Sequence, residues 1–433
     1  MKGIDMGKPY AIETLALHAG YIPDEQTRSR AVPVHRTSSY IFNSTAQAAD
    51  LFALKELGNI YTRLQNPTQD VLEQRVAAME GGGAALALAS GTSAIYYSII
   101  NICSAGEELV SANNLYGGTT TMFHDILPQF GIHTTFVDPQ HPENFKKAIT
   151  EKTRALYIET IGNPALGVTD IEAVAAIAQK HHLPLIVDST FTTPFLLKPL
   201  DYGANIVCHS LTKWMGGHGT GIGGIVVDGG NFDWTDPKFK LYNEPDGSYH
   251  GLRYAHDLGD LNPLAFILRM RLVPLRNLGA AIAPDNAWMF LQGIETLALR
   301  MERHCQNALA VAGHLSKHPK VTWVRYPGLK DDPSYPVALK YLKRGFGGMI
   351  VFGIKGGLSA GKKFIESLNL FSHLANVGDA KSLAIHPATT THSQLSETQQ
   401  QAAGITADLI RLSIGIEQID DILADLDQAL EQS

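Results

Sequence analysis

The chain has 433 residues, 45% of them apolar and 18% charged, with a formal net charge of −7 at pH 7. That length predicts one large domain with a smaller one beside it, and that composition supplies an ordinary globular core. The modest negative charge argues against a nucleic-acid surface, and no run of about 18 apolar residues is present to span a membrane.

The N-terminal stretch MKGIDMGKPYAIETLALHAG lacks the continuous apolar core of a signal peptide. Cys103, Cys208 and Cys305 are too widely spaced to form a CxxC pair, and their odd number gives no even disulfide framework. The expectation is a cytoplasmic protein whose cysteines are small buried side chains. Residues 1–60 are mixed, with scattered prolines and few periodic runs, and predict an arm that packs on something else. After Gly81–Gly83 the pattern changes to short apolar runs alternating with helical stretches. The runs lie at 84–89, 108–112, 134–138, 155–160, 183–188, 204–210 and 223–228, with helical candidates such as 92–103 and 170–182 between them. That alternation predicts parallel βαβ units, and the nearly unbroken apolar runs predict a sheet covered on both faces. Residues 229–281 are rich in aromatic, Asp, Asn and Pro residues and predict a long excursion from the core. A helical pattern runs from 285 to 315. From about 320, strands such as 348–354 mix with helices, as in a smaller α+β domain. The division is therefore 1–60 for the arm, 61–284 for the main domain and 285–433 for the C-terminal domain.

Open α/β sheets bind ligands beyond the C-terminal ends of their strands. The first run ends in Ser90-Gly91-Thr92 and passes into a helix. Free N–H groups there suit a phosphate, although the same triplet also makes an ordinary helix cap. The run 183–188 ends in Asp188, which suits a protonated ring nitrogen or the capping of a turn. The run 204–210 leads to 209-HSLTKWMGGHG-219, with Lys213 between hydroxyl residues Ser210 and Thr212 and a set of glycines. A lysine at the mouth of a sheet, partly desolvated, can lose its proton and form an imine; a lysine near glycines is otherwise simply solvated. What distinguishes Lys213 is that Ser90 and Asp188 fall at strand ends of the same inferred sheet.

Other patterns are discounted. Gly219-Thr-Gly221-Ile-Gly-Gly224 fits G-x-G-x-x-G, but a strand-like run follows it where a dinucleotide fingerprint needs a helix. Residues 356–363 approach a phosphate-binding loop but place Lys363 where a hydroxyl is required. No pair of histidines has metal-ligand spacing, and His181-His182 reads as a solvent-facing helix end, so no metal site is expected.

Taken together, these residues resemble the Cys/Met metabolism, or cystathionine γ-synthase-like, pyridoxal 5'-phosphate (PLP) enzymes. The resemblance runs from Glu13 to Glu417. It is carried most specifically by HSLTKWMGGHG around Lys213, and also by 61-YTRLQNPT-68, ASGTSA around Gly91, ETIGNP around Asn163, VDSTF around Asp188, 378-GDAKSLAIHPATTTH-392 and 411-RLSIGIE-417. Within that family the chain is most similar to the O-acetylhomoserine sulfhydrylases, through the insertion at 229–281 with its 246-DGSYHG-251, QGIETLALRMERH at 292–304 and VRYPGL at 324–329. It departs at Ala283-Pro-Asp285, where relatives usually show Ser-Pro-Phe.

The resemblance implies the fold type I PLP-dependent transferase architecture: a mostly parallel seven-stranded sheet with helices on both faces and a small α+β domain. It implies that Lys213 holds PLP as a Schiff base and shuttles protons, and that Asp188 pairs with the ring nitrogen. Ser90, Gly91, Thr92, Ser210 and Thr212 would hold the phosphate. Tyr116 would stack on the ring and assist proton transfer, with Glu159 and Asn163 near the ring 3'-oxygen. Tyr61 and Arg63 would reach the phosphate in a neighbouring subunit, which implies at least a dimer and typically a homotetramer. Arg411 would clamp the substrate carboxylate, with Ser382 and Asn163 nearby. The implied reaction joins O-acetyl-L-homoserine and sulfide into L-homocysteine and acetate. A γ-lyase acting on methionine or cystathionine is the alternative, and sulfide, methanethiol or a sulfur-carrier protein remain open as the sulfur source.

Overall fold

The computed structural model describes residues 8–390 and 404–433. Thr391 and His392, the end of the 378–392 match, lie outside the described residues. Seven strands, β1 (Ala84–Leu88), β2 (Glu108–Ala112), β3 (His133–Val137), β4 (Thr153–Glu159), β5 (Leu185–Asp188), β6 (Ile206–Ser210) and β7 (Gly224–Asp228), form one sheet in the order β1-β7-β6-β5-β4-β2-β3. The pairings among β3, β2, β4, β5 and β6 are parallel, and β7 runs antiparallel to both β6 and β1. The sheet is thus mostly parallel, as expected, and its strands fall within two residues of the apolar runs.

The central strands are buried throughout because both faces are covered. Successive residues of a strand point to opposite faces. Cys208 contacts Ser98 on one side, and its neighbour His209 contacts Glu80 on the other. Ser98 belongs to helix α4 (Gly91–Ile100) and Glu80 to α3 (Pro67–Glu80), and α5 (Ile171–Lys180) fills the 170–182 stretch. Helix α3 starts where its sequence says it should. Asn66 accepts from the Thr68 N–H at 2.9 Å, Pro67 needs no donor partner at the first position, and Gly81 ends the helix at φ 80°.

Two expectations are corrected here. Residues 229–281 do not leave the core. Trp234, Phe239, Tyr242, Tyr254 and Phe266 are buried in the main cluster, with Trp234 stacked on Tyr242 at 4.3 Å, and Arg269 donates to Asn101 at the end of α4. The segment showed no clear period because its first helices are four to six residues long and the continuous helical stretch 265–278 changes from α to π geometry and back at 271–275. The 285–315 pattern is two helices, α6 (Pro284–Glu295) and α7 (Leu297–Leu315), parted at Thr296. The arm also contributes to the core: α1 (Ile12–His18) buries Ile12, Leu15 and Ala16 in the main cluster, whereas α2 (Thr45–Phe52) buries only Leu51.

The second sheet runs β10-β11-β12-β9-β8, from β8 (Val321–Arg325), β9 (Met349–Ile354), β10 (Ser372–His373), β11 (Leu383–Ile385) and β12 (Leu409–Ser413). Helices α8 (Gly357–Ser367) and α9 (Ile419–Gln432) cover it, packing Phe364, Ile422, Leu426 and Leu430 on Ile350, Phe352, Ile410 and Leu412. Helix α7 serves both bodies. Leu297, Met301 and Cys305 join the main cluster, and Ala308, Val311 and Leu315 join the second. Among the described residues no helix is long and apolar enough to cross a membrane.

Candidate active site

The C-terminal ends of β1, β4, β5 and β6 open on one side of the large sheet, and the residues singled out in the sequence gather there. Helix α4 begins at the end of β1, with Ser90 as its cap accepting from the Ser93 N–H at 3.0 Å. Its first turn lies against β6 because Gly91 has no side chain. A Cβ there would meet the Ser210 Cβ at 2.6 Å. A Cβ on Gly224 would likewise meet the Ser90 carbonyl oxygen at 2.1 Å. Free N–H groups, the positive end of the α4 dipole and the Ser210 and Thr212 hydroxyls therefore share one small space. Thr212 is anchored to Gly223, whose N–H reaches its Oγ1 at 3.1 Å. This is a cradle of the right polarity for a phosphate.

Asp188 ends β5, partly buried beside the cradle. Thr190 turns back so that its N–H donates to Asp188 Oδ1 at 2.9 Å, and its Oγ1 accepts from the Ser210 N–H at 2.9 Å. Burial raises the Asp188 carboxyl above its ordinary value, against the lowering effect of Thr190 and His209. A protonated ring nitrogen brought against it reverses that shift. Glu159, at the end of β4, is pushed well up by burial and by Asp188, and accepts from the Tyr116 N–H at 2.7 Å. The Tyr116 ring passes over Gly118, where a Cβ would meet it at 2.6 Å, and is half exposed at the mouth.

Lys213 lies on the turn after β6. Its Nζ donates to Asn376 Oδ1 at 2.5 Å. Burial, and then the positive charge of Arg411, pull its pKa down to about 8. About a tenth of this amine is then neutral at pH 7, and more as pH rises toward 8, and the neutral form is the one that imine formation requires. Arg411, on β12 of the small sheet, is buried, and burial lowers its pKa to about 10. Its Nη1 donates to Asn163 Oδ1 at 3.2 Å. Among the described residues it has no carboxylate partner, so it presents a desolvated guanidinium to the site. The cradle, the buried acid behind it and the reactive amine at its rim fit a phosphorylated pyridine aldehyde.

Three expected residues lie apart from this cluster. Ser382 is fully buried and committed within the chain. Its Oγ donates to Glu417 at 2.9 Å and accepts from the Gly415 N–H at 2.9 Å, and its own N–H donates to Glu417 at 2.6 Å. Tyr61 and Arg63 are exposed and pack on each other, the guanidinium 5.1 Å from the ring centroid. Asn376 and Thr190 were not singled out in the sequence. Thr190 stood beside Asp188 within VDSTF, but nothing local marks an asparagine two residues before GDAKS. The discounted patterns stay discounted: β7 follows the 219–224 glycines, and Lys363 sits inside α8.

A lysine, a buried acid and a helix-capped cradle at the strand ends of a fold of this kind define a PLP enzyme. Residues 13–431 match the family model described as Cys/Met metabolism PLP-dependent enzyme. The chain is 56% identical to an O-acetyl-L-homoserine sulfhydrylase of Leptospira meyeri, over 99% of this chain and 98% of that one. It is 50% identical to the homocysteine synthase of Schizosaccharomyces pombe, over 97% and 98% respectively. A Campylobacter jejuni crystal structure described as an O-acetylhomoserine (thiol)-lyase, with pyridoxyl-lysine monophosphate in place, aligns with a TM-score of 0.94 at 43% identity, covering 98% of this chain and all of that one. The chain belongs to the Cys/Met metabolism PLP-dependent enzyme family.

Proposed function

We propose that this protein joins O-acetyl-L-homoserine and hydrogen sulfide into L-homocysteine and acetic acid. The C–O bond at Cγ breaks, a C–S bond forms at the same carbon, and one sulfide proton leaves with the acetate. The observation that carries the reading is the Lys213 amine, brought to a pKa of about 8 beside the Arg411 guanidinium. The names of the full-length relatives support the substrate.

Bound PLP supplies an aldehyde that condenses with amines and a ring that withdraws electrons from Cα. The protein's residues supply the rest. Ser90, Gly91, Thr92, Ser210 and Thr212 would hold the cofactor's phosphate, and Asp188 would keep its ring nitrogen protonated. Glu159 and Asn163 would border its 3'-oxygen, and Tyr116 would cover the ring. Arg411, with Asn163 holding its Nη1, takes the substrate carboxylate in a planar fork. Lys213 would hold PLP through its Nζ, and the same amine would take the substrate Cα proton and carry protons onward, with Asn376 receiving its free N–H. Ser382 acts through Glu417 by fixing the loop after β12.

The exposure of Tyr61, Arg63 and Ile41, which is 99% exposed, supports an arm that completes a neighbouring subunit's phosphate site in a homotetramer. Three free buried cysteines fit a reducing cytoplasm, and sulfide or a sulfur-carrier protein would donate the sulfur. The test is a product assay on O-acetyl-L-homoserine with and without sulfide. Homocysteine formed only with sulfide is expected. α-Ketobutyrate formed without sulfide would make the protein a γ-lyase and overturn the proposal.

A further inference from the structure

Lys213 and Arg411 come from different sheets, yet the reaction needs the amine and the carboxylate clamp at a fixed separation. One helix touches the chain next to both. Arg300, His304 and Asn307 stand four and three residues apart on α7, hence on one face, and all three are buried. Arg300 donates from Nη1 to the Trp214 carbonyl at 2.6 Å and from Nη2 to Met215 at 3.3 Å and Gly293 at 2.6 Å. Trp214 directly follows Lys213. His304 Nδ1 donates to the Ile414 carbonyl at 2.6 Å. Asn307 Nδ2 donates to Gly415 at 3.0 Å and Glu417 at 2.9 Å. Ile414 lies three residues beyond Arg411.

We propose that Arg300, His304 and Asn307 are positioning residues: a buried brace along α7 that sets Lys213 relative to Arg411.

The chemistry of the contacts is what a brace needs. Arg300 is a buried guanidinium with no carboxylate partner among the described residues. Such a charge is costly to bury, and here it is satisfied by three backbone carbonyls and, through Nε, by the Thr296 hydroxyl at 3.3 Å, so it grips the Lys213 turn with charge-assisted bonds. The fit is close enough to require Gly217 at φ 71°, since a Cβ there would meet Arg300 Nη1 at 2.1 Å. A third loop ties the two ends together. The Ala380 N–H donates to Gly217 at 2.8 Å, and the Ile416 N–H donates to Ala380 at 2.9 Å. The same loop carries Asn376, the partner of Lys213. A shift of α7 therefore reaches Lys213 through one residue of backbone and Arg411 through three.

The inference rests on the roles given above to Lys213 and Arg411. Its test separates the two ends with two measurements. The first is the rate at which apoprotein captures PLP, followed by visible absorbance and borohydride trapping, which reads Lys213. The second is the affinity of the PLP-loaded protein for L-alanine, which has no γ leaving group, and it reads the carboxylate clamp. Arg300→Gln is expected to slow capture on the order of 10- to 100-fold, the cost of misplacing a reacting group by about 1 Å, with L-alanine affinity changed less than about twofold. Asn307→Ala is expected to do the reverse, weakening L-alanine by a similar factor while sparing capture. Arg300→Lys, which keeps the charge and one donor, should lie between wild type and Arg300→Gln, and it serves if Arg300→Gln does not fold. Variants that lose both readouts together, or that only melt at a lower temperature with neither readout changed, would overturn the brace. Wild-type protein that captures no PLP would instead overturn the cofactor roles on which it rests.

Discussion

Arg411 Nη1 and Asn163 Oδ1 are joined at 3.2 Å, although 248 positions separate them and Arg411 lies on the small sheet while Asn163 follows β4 of the large one. The bond holds one arm of a buried guanidinium and leaves the rest of its planar fork to a ligand. Arg411→Lys keeps the charge and loses the fork. Hydrogen bonds to charged groups contribute about 1.5–3 kcal/mol, so KM for O-acetyl-L-homoserine should rise roughly 10- to 100-fold with a smaller change in kcat. Steady-state kinetics would check this, and an unchanged KM would remove Arg411 from the clamp.

Lys213→Ala removes both the group that binds the cofactor and the base. The visible band formed on adding PLP should vanish, and turnover should fall by at least about 10²- to 10⁴-fold, the range for a positioned acid–base group. Wild-type turnover in this variant would end the assignment.

The apoprotein should capture PLP with a rate that rises with pH and is half-maximal near pH 8, because only the neutral amine attacks and burial has pulled Lys213 down to about 8. The same shift sets a stability trend. The unfolded chain binds the lysine proton up to the ordinary value of 10.5, so between about 8 and 10.5 it holds more protons than the folded one. This group therefore adds stability as pH rises through that window. Asn376→Asp places a carboxylate 2.5 Å from the amine, favours the ammonium, and should move the half-point upward in pH. A half-point that stays put would mean that the Lys213–Asn376 contact does not govern the amine.

Gly91→Ala tests the cradle. The added Cβ meets the Ser210 Cβ at 2.6 Å and its Cα at 3.0 Å, so the first turn of α4 must move away from β6. Overpacking of this kind costs about 1–3 kcal/mol, and the loss should appear in PLP affinity as well as in melting temperature. Equilibrium PLP titration would read it.

His304 gives a pH prediction of the same sign in a lower window. It donates from Nδ1 to Ile414, and burial pulls its pKa from 6.5 to about 4. The unfolded chain takes up this proton first. Stability from this group is therefore present above about pH 6.5 and lost as pH falls toward 4, by about 3 kcal/mol in all. His304→Gln, which does not titrate, should unfold with a flatter dependence on pH across that window. Parallel wild-type and variant curves would count against it.

The positions of the seven large-sheet strands were legible because each is a run of apolar residues bounded by turn chemistry, and a doubly covered sheet demands that pattern. Ser90, Asp188 and Lys213 were legible as strand-end residues for the same reason. The 285–315 helix was read as continuous because α6 and α7 share a pattern; the break at Thr296 carries neither Gly nor Pro. The burial of Trp234 and Tyr242 was hidden because short helices leave no period, and aromatic residues crowd exposed and buried segments alike.

What the sequence by itself determined is the local chemistry: which residue caps α4, which acid ends β5, which lysine follows β6. Those depend on neighbours within a few positions, where hydrogen-bond geometry and side-chain period act directly. What only the tertiary structure decided is which distant groups those residues face. Ser382 belongs to Glu417, Lys213 to Asn376, Asp285 to Arg36 at 2.5 Å, and Arg300 to the carbonyls after Lys213. Such pairings are settled when two sheets and the helix between them close on one another. They depend on distances set by the whole packed core, which no short stretch of sequence contains.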